Sequence, residues 1–470
     1  MSEATGGKRI AVLGGGPGGY PAAFLAADLG LSVTLVDLEA NPGGVCLFRG
    51  CIPSKALLHI ARVIKEAEEL RACGVRFDPP ATDVAAVRAW KDSVVRRLTG
   101  GLGQLRAARK IEFVRGRARF ADRKRLHVDL AGGGQRDIGF DAAIIATGSR
   151  PAAIPGWPAS PRIMDSTAAL ELPDIPKRLL VVGGGYIGLE LGSVYAALGS
   201  AVTVVEMLSG LLPGADRDLV APLAKRLEKR LAAIRLGTKV AAVREEGDAL
   251  RVTLESGDGR RSEEVFDRIL VSVGRRPNSG DLGLEAAGVE LDAKGFVKVD
   301  GQRRTSDPDI YAIGDVAGEP MLAHKATHEG RVAVEAIVGR KTVFEPRAIP
   351  AVVFTDPEIA WCGLTETQAA AEGRPIKTAK FPWSASGRAM TLERTEGVTK
   401  LLADPETERV LGMGIAGPGA GEMISEGVLA IEMGALVSDL ALTIHPHPTL
   451  SETVMESAEL FYGHCTHTIG

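Results

Sequence analysis

One arrangement of residues occurs twice in this chain. RIAVLGGGPGGYPAAF sets Gly14, Gly16 and Gly19 behind a short apolar strand, and RLLVVGGGYIGLELG sets Gly183, Gly185 and Gly188 in the same relation. A second apolar strand follows each copy, SVTLVD ending in Asp37 and AVTVVE leading to Glu206, and each acid stands 23 residues after the first glycine of its copy. This is the pattern of a dinucleotide-binding βαβ unit: the first glycine makes a tight turn, the second admits a pyrophosphate against the backbone, and the third lets helix pack on strand. The helix amino terminus then faces the phosphates and the acid accepts from ribose hydroxyls. A lone glycine fingerprint would be weak ground. Strand, glycines, helix and acid repeated in order restrict the chain to an α/β fold with two Rossmann-like units, and so to binding two dinucleotides. A carboxylate at Glu206 accepts from a free 2′-hydroxyl and repels a 2′-phosphate, and the MLSGLL that follows offers no arginine, which favours NAD over NADP.

The 470 residues are 45% hydrophobic and 24% charged, enough to build cores for two to four domains. A net charge of −3 excludes a general nucleic-acid binder, which needs a cationic excess to release counterions. The Arg- and Lys-rich stretch 96–125 reads as a solvated helix-and-strand face. Residues 179–205 carry Glu190 as their single formal charge and have the length of a membrane span, but the glycine triplet and Gly199 divide them into strand, turn, helix and strand. MSEATGGKR runs directly into IAVLGGG with no apolar leader region, from which a cytoplasmic location is expected.

TSDPDIYAIGDVAG puts Asp315 at a strand end beside a helix, and RILVSVGRRPN before it implies that the chain returns to its first domain after completing the second. The five cysteines are odd in number and scattered, apart from Cys46 and Cys51 in GGVCLFRGCIPSK, so they are not a disulfide framework. Zinc is disfavoured because no second close pair exists, and an iron–sulfur cluster because residues 52–72 hold no further cysteine. A buried structural pair and a redox pair remain. Position favours the redox reading: the pair follows Asp37 by nine residues, behind a flexible Gly43-Gly44, so its segment can run along a dinucleotide toward the reactive ring. Lys55 adds positive charge that favours a thiolate.

These motifs, with HPHPTLSETVMESA at 445–458, resemble the pyridine nucleotide–disulfide oxidoreductases over essentially the whole chain. FPWSASGRAM at 381–390 is similar to a stretch typical of the members that oxidise dihydrolipoyl groups. Val45, Phe48 and Arg49 depart from the Thr and the Asn-Val or Asn-Arg often found around that first cysteine. The resemblance implies FAD in the first site and NAD in the second, with a redox disulfide between Cys46, which exchanges with substrate, and Cys51, next to the flavin. It implies a Lys55–Glu190 pair near the flavin and Tyr186 as a gate to the nicotinamide pocket. Gly14, Gly16, Gly19, Asp37, Gly44, Gly116, Thr147, Gly148, Asp315 and Ala323 would serve FAD. Gly183, Gly185, Ile187, Gly188, Glu206, Val240 and Gly274 would serve NAD.

His447, held between Pro446 and Pro448 with Glu452 five residues on, and His445 are both candidate bases. The resemblance favours His447, oriented by Glu452 and acting across a homodimer interface. It further implies an FAD-binding domain at 1–150 and 275–345, an NAD-binding domain at 151–274, and a C-terminal α+β interface domain at 346–470. The expected reaction is oxidation of dihydrolipoyl groups on the lipoyl-bearing subunit of a 2-oxo acid dehydrogenase or glycine cleavage complex. Glutathione-reductase-like enzymes would want an arginine pair for the NADP phosphate, and mercuric-reductase-like ones a terminal cysteine pair. A redox-inactive scaffold would have no use for the Cys46, Cys51, Lys55, His447 and Glu452 set. No metal is expected, and GHCTHTIG with its single Cys465 reads as a frayed polar tail.

Overall fold

The computed structural model describes residues 7–469; residues 1–6, on which the reading of the amino terminus partly rests, lie outside them. The first fingerprint forms as its sequence demands. Strand Arg9–Leu13 leads through the glycine turn into helix Gly19–Asp28 and on to strand Ser32–Asp37, which pairs parallel with the first. The second fingerprint repeats this with strand Arg178–Val182, helix Tyr186–Ala197 and strand Ala201–Val205. RIAVL and RLLVV share one burial pattern, an exposed first residue and four buried ones. Strands covered by layers on both faces have no solvent side, so they read as continuous apolar runs.

The first sheet has seven strands, with Ile310–Ala312 at one edge followed by Ala142–Ile145, Arg9–Leu13, Ser32–Asp37, Glu112–Asp122, Arg125–Leu130 and Gln135–Gly139. Strand Ile310–Ala312 returns from late in the chain to pair parallel with Ala142–Ile145, which carries Asp315 back to the first unit. The second sheet has five parallel strands centred on Arg178–Val182. A three-stranded antiparallel sheet of Thr238–Glu246, Ala249–Ser256 and Arg261–Phe266 follows it in the chain. Segments Ser149–Pro151 and Arg275–Pro277, where the chain leaves the first unit and comes back, pair antiparallel with each other.

The C-terminal part is a five-stranded antiparallel sheet built from residues 351–416, flanked by helices Ala420–Met433 and Glu452–Phe461. Trp383, fully buried, anchors its core and donates its indole N–H to Thr399 Oγ1 at 3.0 Å. The basic stretch 96–125 occupies the end of helix Val84–Ala108 and strand Glu112–Asp122, where Arg115, Arg117 and Arg119 alternate outward as a solvated face should. No helix among the described residues is long and apolar enough to cross a membrane.

Candidate active site

Both glycine turns are built by the same close approaches. Gly14 and Gly183 have φ of +104° and +110°, and a Cβ on either would lie 2.3 or 2.4 Å from a carbonyl oxygen, of Ala146 or Ser272. A Cβ on Gly19 or Gly188 would strike the carbonyl of Gly14 or Gly183 at 1.8 or 2.3 Å. The two acids correspond as well. Asp37 Oδ2 accepts from the Gly15 N–H at 2.5 Å and its Oδ1 from Glu39 N–H at 2.8 Å; Glu206 Oε2 accepts from Gly184 N–H at 2.6 Å and its Oε1 from Leu208 N–H at 2.8 Å. Neither helix that follows has a side-chain cap, so each leaves amino-terminal N–H groups free for an anion.

The cysteine segment is helical rather than extended. Cys46 lies in helix Gly44–Arg49, Gly50 breaks it, and Cys51 opens helix Cys51–Glu69, with Pro53 in the first turn where its missing N–H costs nothing. Gly43-Gly44, expected to be a flexible lead-in, is a tight approach: Gly44 has φ +57° and its Cβ would sit 2.4 Å from Gly16 Cα. The cysteine helices are thereby seated directly on the first glycine turn.

Cys46 and Cys51 lie close enough to perturb each other's acidity. The neighbouring Cys46 thiol, and against burial the Lys55 ammonium, lower the Cys51 pKa to about 7. The Cys51 sulfur beside it, together with burial, pushes Cys46 up. Cys51 opens its helix and so stands at the positive end of the helix dipole, which favours its thiolate. Lys55 Nζ lies 2.9 Å from Glu190 Oε2, whose side chain is 4% exposed, and Glu190 Oε1 accepts from Phe354 N–H at 2.9 Å.

A cavity of about 700 Å³ gathers most of the expected residues. Gly14, Gly16, Asp37 and Gly44 line it at one end, and Cys46, Cys51, Lys55, Tyr186, Ile187 and Glu190 line its middle, together with Gly116, Thr147, Gly148, Asp315 and Ala323. Gly19, Gly183, Gly185, Gly188, Glu206, Val240 and Gly274 do not line it. The last six belong to the second unit, where Gly185 is open above the helix end and Val240 sits at a bulge of the antiparallel sheet. His447 and Glu452 are outside the cavity too. His447 Nδ1 is 2.9 Å from Glu452 Oε1, its side chain is 73% exposed, and its Nε2 has no partner among the described residues. Burial opposes ionisation of Glu452, yet the Thr449 N–H and the His447 ring hold its pKa below its usual value. His445 instead is engaged at both ring nitrogens, by Thr443 O and Glu426 Oε1, each at 2.8 Å.

Several groups in or beside the cavity carry no signal in the sequence. The Phe354 ring lies 4.4 Å beneath Lys55 Nζ, joining the C-terminal sheet to the thiol helix. Arg275 holds Ser149 through Nε–H to Oγ at 2.7 Å, and Ser149 donates in turn to Asp315 Oδ2. Asn278 and Thr147 exchange hydrogen bonds at 2.8 and 3.0 Å. Arg275 and Asn278 lie in RILVSVGRRPN, but nothing in that motif tells which partner each will meet. The carboxyl end also differs from the frayed tail expected: Cys465 is half-buried and donates to Glu456 on helix Glu452–Phe461, because that helix offers a buried carboxylate.

Two uncapped dinucleotide cradles with a thiol pair against one of them make a redox protein that works with two dinucleotides. The pyridine nucleotide-disulphide oxidoreductase family matches residues 8–330 and its dimerisation domain matches 349–458; the chain belongs to that family. Dihydrolipoyl dehydrogenase of Haemophilus influenzae is 50% identical over 97% of this chain and 96% of its own, and that of Thermus scotoductus 48% identical over 98% of each. Among solved structures, LpdA from Mycobacterium tuberculosis superposes with a TM-score of 0.89 at 28% identity, over 96% of this chain and 99% of its own. The HOCl-induced flavoprotein disulfide reductase RclA from Escherichia coli gives 0.85 at 28% identity, over 96% and 99%.

The family's cofactors are FAD and NAD, and the chain fits both. The cavity runs from the uncapped first helix to the thiols and is of a size for a large, mostly enclosed ligand. At the second cradle the guanidinium nearest in sequence after Glu206, Arg217, is spent on the carbonyls of Leu211, Leu212 and Ala215, leaving it unavailable to a 2′-phosphate.

Proposed function

We propose that this chain oxidises dihydrolipoyl groups carried on a protein subunit and reduces NAD, as a homodimer. The observation that carries the reading is the placement of the thiol pair: Cys46 and Cys51 line the cavity that the first glycine turn also lines, with the Lys55–Glu190 ion pair beside them. In this reading Gly14, Gly16, Gly19, Asp37, Gly44, Gly116, Thr147, Gly148, Asp315 and Ala323 hold FAD. Gly183, Gly185, Ile187, Gly188, Glu206, Val240 and Gly274 hold NAD, with Tyr186 at the mouth between them. The pairing of 149–151 with 275–277 supports an FAD-binding domain at 1–150 and 275–345, an NAD-binding domain at 151–274 and an interface domain at 346–470.

Bound FAD supplies a two-electron relay between the reduced pair and NAD. The remaining chemistry is the chain's own. His447 Nε2 takes a proton from one substrate thiol while Glu452 holds Nδ1 and supports the imidazolium. The thiolate attacks Cys46 Sγ and breaks the Cys46–Cys51 bond, leaving Cys51 as thiolate, which Lys55 stabilises. The second substrate thiol attacks the substrate sulfur of the mixed disulfide, closes the lipoyl ring and releases Cys46 as a thiol. Two electrons have then passed from substrate to the pair. The exposure of His447, and its absence from the cavity's lining, support its serving the partner subunit's disulfide rather than its own.

The partner class is a lipoyl-bearing subunit of a 2-oxo acid dehydrogenase or glycine cleavage complex, and the setting is cytoplasmic. Steady-state rates with dihydrolipoamide and NAD, against glutathione or Hg(II) with either nicotinamide, test the reading. Turnover of dihydrolipoamide should dominate; faster reduction of oxidised glutathione or Hg(II) would replace it with the corresponding reductase.

A further inference from the structure

Away from the cavity, the end of the chain folds back on helix Glu452–Phe461. There Glu456, Glu459 and Cys465 bring one ligand atom each within 4.8 Å of one another. Glu456 is 3% exposed, and its two oxygens are already engaged, by the Cys465 thiol at 2.5 Å and by His467 Nδ1. Glu459 keeps a solvent-excluded Oε2 with no hydrogen-bond partner. No lysine or arginine pairs with either glutamate among the described residues. A buried carboxylate balanced only by a histidine, beside a half-buried one whose Oε2 is solvent-excluded and unpartnered, is costly as it stands.

We propose that Glu456, Glu459, Cys465 and His467 bind one thiophilic divalent cation of the zinc class. A thiolate, an imidazole and two carboxylates make a four-donor set of the kind zinc prefers, mixing one soft ligand with harder ones. Binding expels the Cys465 proton to solvent and turns His467 from a partner of Glu456 into a ligand. The cation neutralises the carboxylate pair and pins the last residues to the helix. Its place is one turn along that helix from Glu452, on the same face. The site does not rest on the dihydrolipoyl reading, since none of its ligands belongs to the thiol chemistry.

The test uses the oxidised, FAD-loaded protein dialysed against low-micromolar Zn²⁺, with metal counted by elemental analysis and its ligands read by zinc K-edge absorption. One zinc per chain is expected, with a single sulfur and otherwise nitrogen and oxygen ligands. Cys465→Ser should remove the sulfur and weaken binding about tenfold or more, and Glu459→Gln should weaken it similarly, both at unchanged flavin content. A Cys46→Ser/Cys51→Ser variant should keep the zinc. Zinc retained with its sulfur in Cys465→Ser, zinc lost with the Cys46–Cys51 pair, or a folded, flavin-loaded protein that takes up none would each overturn the proposal.

Discussion

Lys55 and Glu190 stand 2.9 Å apart although they belong to helices of different nucleotide-binding units, Cys51–Glu69 and Tyr186–Ala197. Their ion pair ties the charge beside the thiols to the helix that starts the second cradle. Phe354 closes the arrangement from the C-terminal sheet, through its backbone N–H to Glu190 and its ring beneath Lys55.

Removing that charge should move the thiols. In the reduced protein a Lys55→Met/Glu190→Gln variant, which strands no buried carboxylate, should raise the Cys51 pKa from about 7 by roughly one unit. Thiolate absorbance followed against pH reads the shift. A folded pKa below the ordinary thiol value of 9.0 stabilises the reduced protein above that value, and the contribution is lost as pH falls through about 7. Unfolding midpoints of reduced wild type should rise between those two values, and less so in the variant. An unchanged titration would remove Lys55 from the thiol environment.

Gly44→Ala should damage the first cradle. With φ +57° and a Cβ 2.4 Å from Gly16 Cα, an alanine must both strain the backbone and part the cysteine helix from the glycine turn. A loss of about 2–4 kcal/mol in stability is expected, with reduced flavin content in the purified protein. Full flavin occupancy and an unaltered melting temperature would contradict the close seat described above.

Cofactor choice should follow Glu206. A like charge against the 2′-phosphate should give NAD an advantage of roughly ten- to a thousandfold in kcat/KM, the scale of a few kcal/mol. Glu206→Ala should shrink that ratio while raising KM for both nicotinamides, because Gly184 and Leu208 lose their shared acceptor. Equal rates in the unaltered protein would show that the carboxylate does not face the ribose.

His447→Gln should lower dihydrolipoamide turnover at least about a hundredfold, the usual scale for a positioned base, while NADH still reduces the flavin. Mixing chains gives the sharper measurement. A heterodimer of Cys46→Ser and His447→Gln chains contains one complete site if the histidine acts across the interface, and should recover up to about half of the wild-type rate. No recovery in a verified, flavin-loaded heterodimer would return His447 to its own chain.

Much of this molecule is legible in one dimension because its constraints are local. Gly14 and Gly19 answer to a turn and a helix within six residues of each other, and Gly183 and Gly188 repeat the demand, so the motif carries the geometry. The partners of Glu190 and Asp315 come from more than 120 residues away, and phenylalanine, arginine and serine are too common for spacing to mark them. Gly43-Gly44 was misleading for another reason: glycine serves both loose chain and tight contact, and composition does not distinguish the two. The tail misleads likewise, since its polar residues meet a carboxylate whose burial is set by the sheet beneath it.

The strand pair formed by 149–151 and 275–277 has a practical corollary. The stretch between those two crossings is joined to the rest of the chain covalently through a neck two strands wide, with both of its ends side by side, although it also packs on the thiol helix and the C-terminal sheet. Such a stretch can be lifted out and replaced without cutting the seven-stranded sheet, whose late strand at 310–312 is joined only after the neck has closed. Grafting the corresponding segment of an NADP-using relative between these crossings is therefore a natural route to exchange the electron acceptor while leaving Cys46, Cys51 and His447 in place, provided that the graft keeps a carboxylate at Glu190 for Lys55.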